Sequence, residues 1–271
     1  MGLENGCSIL PVSKAAKDMM DYQLGLSAKR GTERFAHLYR GLYLERFAIF
    51  AVEAENDFYT TKRQRIIDAI ALKVPCFLRV FIAYYGIKNP VFYYINPEDV
   101  QFLLNEQGVR AGCSFGSFGF DTCVHPVFRA LPDLPSEKEQ IDKLVFKALT
   151  DDFPMGVLPP GTDSPELVYA FYERIMDLYE GASILLAKHT GGSFNLSKCV
   201  LLLHPDMPPP PADMHFPFTI TRDGLVLGGA PIGTDDFVQG HFQTALADFT
   251  TKCTRLTELH PQVALRSSRI L

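Results

Sequence analysis

The chain has 271 residues, 47% of them apolar and 21% charged, with a formal net charge of −5. That supply of apolar residues can bury one large core or two small ones and excludes a disordered chain, while the acidic balance lacks the basic surplus on which sequence-independent nucleic-acid binding draws. No apolar run approaches the roughly 18 to 20 residues that span a bilayer, and the start shows no charged segment followed by a hydrophobic one, so a soluble intracellular protein with no membrane partner is expected.

In chain order, Thr32 followed by Glu33 is expected to cap a helix with the stripe Phe35, Leu38, Leu42, ending near Glu45. Phe47 to Val52 is a continuous apolar run, read as a buried strand that delivers Glu53 at its end. Thr61 starts a helix through Ile66, Ile67 and Ile70 that stops at Pro75, and Pro75 opens another that ends at Gly86. Phe92 to Ile95 and Val100 to Leu104 flank a turn and read as a hairpin. A glycine-rich loop, Gly108 to Gly119, then feeds a helix with Pro126 inside it.

Leu144 to Leu149 and Phe153 to Leu158 read as a second hairpin with Asp151 and Asp152 at its tip. Ser164 and Pro165 open the longest amphipathic helix, with Leu167, Phe171, Leu178, Ala182 and Leu185 on one face, closed by Gly191-Gly192. Val200 to Leu203 is a strand and Pro208 to Pro211 a rigid connector. Phe216 to Ile220 and Leu225 to Leu227, around Arg222-Asp223-Gly224, make a last hairpin before a helix from about Asp235 to Leu259. The order predicts an α+β fold, a mostly antiparallel sheet with helices gathered on one face.

Cys7, Cys76, Cys113, Cys123, Cys199 and Cys253 are scattered with no C-x-x-C spacing, which fits reduced thiols better than disulfides or a zinc ribbon. Basic residues cluster at Lys29-Arg30-Arg34 and at Lys62-Arg63-Arg65.

Two constellations carry chemistry. Gly112-Cys113-Ser114-Phe115-Gly116 satisfies G-x-S-x-G, and Asp151 or Asp152 and then His204, His215 or His241 follow in the order of a serine hydrolase. A nucleophile elbow needs a strand running straight into the turn, and Gly108 to Ala111 offers no apolar continuation. The stronger constellation pairs Glu53 with Asp151 and Asp152. Adjacent carboxylates repel, and three of them at strand ends suit two divalent ions, which can activate a sugar hydroxyl and stabilise an in-line displacement at phosphorus. If the strand ran on, Glu53, Glu55 and Asp57 would share one face, and Asp57 would be the lesser candidate ligand.

At these residues the sequence resembles a family. Val52-Glu53-Ala54-Glu55-Asn56-Asp57-Phe58, with Arg63 beyond, is similar to the first palm motif, D-x-x-N-A-F, of reverse transcriptases of the non-LTR retrotransposon type. Gln23-Leu24-Gly25 through Gly31-Thr32-Glu33 is similar to their Q-x-G...G-x-E segment. The run Gly108 to Gly116, closing with Phe120, resembles G-V-x-Q-G-x-P-x-G-x-x-x-F, and Leu149-Thr150-Asp151-Asp152 stands where Y-x-D-D stands. Asn195-Leu196-Ser197-Lys198-Cys199 resembles N-x-x-K-[CST], and Val226 to Gly233 resembles the L-G-x-x-I-G primer grip. The six segments fall in the family's order over residues 23 to 234.

The resemblance implies a right-hand polymerase palm that performs RNA-directed DNA synthesis with two Mg²⁺ or Mn²⁺ ions on an RNA template, a DNA primer and deoxynucleotides. Residues 1–46 would be a partial fingers segment, 47–234 the palm with inserted fingers-like elements, and 235–271 a helix left from the thumb. Glu53, Asp151 and Asp152 would be the catalytic metal ligands, and Lys198 would sit near the departing pyrophosphate. Phe58, Ala111 and Gly112 would contact the nucleotide, and Leu227 and Gly228 would hold the primer end.

The departures fall on the chemistry. Glu53 stands for the family's Asp, moving the carboxylate out by one methylene, about 1.5 Å, and misplacement by ~1 Å at a reacting centre costs on the order of 100-fold. Ala111 stands for a Gln, Cys113-Ser114 for a polar-Pro pair and Leu149 for an aromatic. With reduced fingers and a stub of thumb, the expectation is weakened or lost polymerase activity, with room for a protein partner that supplies the missing walls. The other expectation is a catalytically dead palm, repurposed for nucleic-acid binding or a structural role.

Overall fold

The computed structural model describes residues 19, 22–25, 29–55, 57–87, 89–96, 99–110, 113–131, 144–149, 152–159 and 164–257. Helix α1 (Gly31–Leu44) leads into strand β1 (Ala48–Glu53). A short helix α2 (Asp57–Thr60), α3 (Arg63–Lys73), a 3-10 turn at Pro75–Phe77 and α4 (Leu78–Tyr85) follow. Strands β2 (Asn89–Asn96) and β3 (Asp99–Asn105) form the expected hairpin as a sheet of their own. Next come α5 (Ser114–Ala130), β4 (Leu144–Phe146), β5 (Asp152–Val157) and the long α6 (Pro165–His189). The chain continues with β6 (Val200–Leu202), β7 (Thr219–Thr221), β8 (Gly224–Leu227), β9 (Ala230–Gly233) and α7 (Asp235–Thr257).

The central sheet has the order β4-β5-β1-β6-β7 and is antiparallel except where β6 and β7 run parallel. β1 lies in its middle because its run Ala48-Ile49-Phe50-Ala51-Val52 is apolar on both faces. Ala48, Phe50 and Val52 pack with Ile66 and Ile70 of α3, Phe128 of α5 and Ile175 and Leu178 of α6. The alternate residue Ile49 packs with Phe35, Tyr39 and Leu42 of α1 and with Leu225, Leu227 and Ile232 of the β8-β9 hairpin. The fold is therefore α+β, but the helices are not gathered on one face as the element order suggested. A strand apolar on both faces needs cover on both, and α1 with the small hairpin provides the second.

Local chemistry moves other boundaries. Thr32 does not cap α1: the helix begins at Gly31, and Arg30 precedes it in the left-handed region at φ 56° with no side-chain cap. Thr61 is fully buried, and α3 begins two residues later at Arg63. The helix after the glycine-rich loop starts at Ser114, so Gly116 and Gly119 are helical. Pro126 sits inside it and has no N–H to give Thr122, and the Lys73 ammonium donates to that carbonyl at 3.4 Å.

The last expected hairpin is replaced by two pairings. β7 joins the central sheet beside β6, while β8 pairs with β9 across Gly228-Gly229. Both glycines have positive φ, 54° and 79°, the conformation of a two-residue turn whose twist matches its strands. That Gly-Gly signal outweighs Arg222-Asp223-Gly224. Among the described residues no helix is long and apolar enough to cross a membrane.

Candidate functional site

β1 ends at Glu53, and the antiparallel register sets Asp152, the first residue of β5, directly opposite it. Leu149 and Asp152 exchange both backbone N–H···O bonds at 3.1 Å, which closes the β4-β5 hairpin. Asp151 lies outside the described residues. Side chains alternate along a strand, so Glu53 shares the face of Ile49 and Ala51, the face covered by α1 and the β8-β9 hairpin. Two like charges directly opposite on a sheet destabilise the pair unless a cation attends them.

That cation is Lys198, whose ammonium donates to the Glu53 carboxylate. The local sequence explains its position. Asn195 N–H donates to the Glu53 carbonyl at 2.8 Å, and the Asn195 side chain accepts from Ser197 N–H at 3.2 Å and from its hydroxyl at 2.6 Å. This fixes the 3-10 turn Leu196–Lys198 on the end of β1. Cys199 follows, fully buried, and burial pushes its thiol up, so it is an inert part of the floor.

The second edge of the site is the β8-β9 turn. A Cβ built on Gly228 would stand 2.7 Å from Leu149 Cδ2 and 3.3 Å from the Phe35 ring, so the turn rests on the residue that begins the hairpin tip. Leu227 is buried beneath it. The Tyr39 hydroxyl of α1, buried at 0% exposure, accepts from Lys147 N–H at 2.9 Å and shares its proton between the carbonyls of Lys147 and Pro154. It thereby ties both strands of the carboxylate hairpin to α1. Sequence reading did not single out Tyr39. Its place on the Phe35-Leu42 stripe marks it as core, and nothing in that spacing says where its hydroxyl reaches.

The third edge is the approach to α5. Arg63 donates to the carbonyls of Gly108, Ile87 and Gln107, each at 3.1 Å, with its guanidinium 5.6 Å from the centre of the Tyr85 ring. Gly108, at φ 61°, donates to Thr61 O at 3.0 Å. Ala111 and Gly112 lie outside the described residues. Phe58 falls in α2, where only its backbone is described. Asp57 is also in α2, so β1 does not run on and Asp57 does not share a strand face with Glu53. Ser114 opens α5, and the nearest preceding strand among the described residues ends at Asn105 in the separate sheet. That is not the strand-turn-helix geometry of a nucleophile elbow.

Glu53, Asp152, Lys198, Leu149 and Gly228 thus converge at one end of the central sheet. Among the described residues no three His, Cys, Asp or Glu gather to hold a metal ion. The two carboxylates offer the hard oxygen donors that Mg²⁺ or Mn²⁺ takes, so the donor chemistry fits, while Lys198 competes for the Glu53 carboxylate.

The sequence matches no protein-family model and no curated protein. Solved structures do resemble it. Apo telomerase from Candida tropicalis aligns with a TM-score of 0.52 at 13% identity, over 84% of this chain and 38% of that one. The same telomerase truncated from its C-terminal domain gives 0.48 at 13% identity, over 74% and 42%. Telomerase from Candida albicans, complexed with a fragment of telomeric RNA, gives 0.44 at 14%, over 84% and 36%. On the first of these alignments the chain shares the fold of part of a telomerase, and it spans well under half the length of these proteins.

Proposed function

We propose that this chain is a reverse-transcriptase-like domain of the non-LTR retrotransposon type, a palm built for template-directed nucleotidyl transfer whose activity is weakened or lost. In this reading 47–234 is the palm, 1–46 a partial fingers segment and 235–271 a remnant of the thumb. The observation that carries it is Glu53 standing opposite Asp152 at the end of the sheet with Lys198 against Glu53. These residues come from three separate segments of the family resemblance, and the shared fold with a telomerase supports the same reading.

Glu53 and Asp151, with Asp152 assisting, would hold Mg²⁺ or Mn²⁺. When bound, such ions supply the charge that activates a primer hydroxyl and steadies a pentavalent phosphorus. Lys198 would balance negative charge beside them, and Leu227 and Gly228 would hold the primer end. Phe58, Ala111 and Gly112 would meet the incoming deoxynucleotide. The second reading is a catalytically silent palm that binds nucleic acid or serves as a scaffold. It is favoured by the Lys198-Glu53 ion pair, which commits the carboxylate that a metal would need.

Primer extension on an RNA template with Mg²⁺ or Mn²⁺ tests the choice. Extension that disappears in Asp151→Asn and in Asp152→Asn supports the polymerase, and a gain in Glu53→Asp identifies the longer side chain as the lesion. Absence of extension in every variant supports the silent palm.

A further inference from the structure

Away from the carboxylates, a group of basic side chains collects where α3, α5 and the end of α6 meet. The packing that gathers them is specific. Lys73 of α3 donates to Thr122 O of α5 at 3.4 Å, and the Cys123 thiol of α5 donates to the carbonyl of His189, the last residue of α6, at 3.3 Å. Lys62 N–H donates to Thr190 O at 3.1 Å, and the Lys62 methylenes lie across Gly191, with Cγ, Cδ and Cε 3.0 to 3.2 Å from where a Cβ would stand. Arg65, Arg129 and Lys188 are exposed on the same three helices, while Lys73 and His189 are half-buried.

These six residues, Lys62, Arg65, Lys73, Arg129, Lys188 and His189, have no carboxylate within ion-pair distance among the described residues. Burial first, and then Arg129, lowers the Lys73 pKa to about 8. Burial, then Lys188, Lys73 and Arg65, lowers that of His189. The groups therefore feel one another as like charges. Lys73, Arg129 and Lys188 lie in last turns, where a cation gains from the helix dipole, while His189 beside them is neutral at pH 7 and takes up a proton only with an anion against it. Lys62 and Arg65 flank the start of α3, which has no acidic residue in its first turn, and there a cation works against the dipole. In a chain of net charge −5, such a group is a local surplus that its own fold does not neutralise.

The geometry points to a polyanion-binding surface on this helical face, separate from the carboxylate site, whose ligand is the phosphodiester backbone of a single-stranded nucleic acid, for which RNA serves as the probe. From Arg65 to Lys73 along α3 is about 12 Å, too long for one phosphate to meet and suited to a strand that repeats its charge every few ångströms. The recessed Lys73 and His189 can be reached by a narrow strand but not by the flat surface of an anionic bilayer. Contacts made through charge alone predict binding that ignores base sequence and weakens steeply with salt. The inference does not rest on polymerase activity, so a failed primer extension leaves it standing.

The test is fluorescence anisotropy of a labelled RNA of ~20 nucleotides with the full chain, at low and raised salt. The triple variant Arg65→Glu, Arg129→Glu, Lys188→Glu changes exposed positions only. It should lose affinity by about tenfold or more and show a shallower salt slope, while Asp152→Asn keeps the native affinity. If the triple variant does not fold, Arg129→Gln and Lys188→Gln should each lower affinity by roughly two- to threefold. No RNA binding by the native chain, or equal binding by native chain and variants, overturns the proposal. So does loss of binding to phosphatidylserine vesicles in the triple variant with RNA binding unchanged, which would assign the surface to a membrane.

Discussion

The two faces of the central sheet are covered by different means. On one face three helices close over Phe50 and Val52 with aromatic and branched side chains, and the surface beneath them is sealed. On the other, one helix and a four-residue-per-strand hairpin cover Ile49 but stop short of the strand ends, so Glu53 remains partly open to solvent. Burying a carboxylate is costly, and the thinner cover lets a charged group stand at the end of a buried strand. The sealed face carries the stability, and the thin face carries the candidate chemistry.

The largest effect that would break this contrast is expected on the sealed face. Phe50→Ala should lower the unfolding free energy by about 3 to 5 kcal/mol, the range for deleting a buried aromatic. Chemical denaturation reads it, and a loss below ~1 kcal/mol would mean that the face is not the stabilising one. Next comes the tie between the faces: Tyr39→Phe strands the Lys147 N–H without its acceptor and two carbonyls without a donor, so about 1 to 3 kcal/mol should be lost. Hydrogen exchange at Lys147 should rise in the same variant, and unchanged protection there would deny Tyr39 its clamping role.

At the open end the expected effects are smaller. Glu53→Gln and Lys198→Met remove an ion pair whose members are 33% and 54% exposed, and each should change stability by no more than about 1 kcal/mol. A larger loss in melting experiments would show a buried pair and would erase the distinction between the faces. The smallest effect is a slope with pH. Lys73 is lowered to about 8 in the fold, so between about pH 8 and its ordinary pKa near 10.4 the unfolded chain binds more protons, and its contribution to stability rises with pH. The difference in melting temperature between the native chain and Lys73→Met should therefore shift in favour of the native chain across that window, and a flat difference would remove the cause assigned to Lys73.

How far the sequence could be read follows from what each signal encodes. The run that forms β1 shows burial on both faces, and with it came Glu53 at the strand end. The pattern around Asp152 showed a hairpin, and Pro165 and the glycines at 191 and 192 bounded α6. What covers a face is not a local property, so element order alone puts α1 with the other helices. Likewise, the Asn195 turn is legible as a motif, but the landing of Lys198 on Glu53 depends on β6 pairing with β1, a contact across about 150 residues of chain. The pairing of β8 with β9 was legible in Gly228-Gly229 and was lost to a competing turn signal. The gathering of six basic residues was visible only in part, as Lys62 and Arg65 of the Lys62-Arg63-Arg65 run, because Lys73 arrives from the far end of α3 and the other three from the ends of α5 and α6.

Pro154 gives the hairpin a further property. It pairs with Ala51 in the middle of β5, yet proline has no N–H, so in a regular ladder its backbone must face away from β1, where its carbonyl takes the Tyr39 hydroxyl. Sliding β5 by one residue would turn that proline toward β1, delete a rung and carry every side chain to the opposite face. The residue thus disfavours every odd-numbered slip of β5, the slips that would also turn Asp152 away from the face of Glu53.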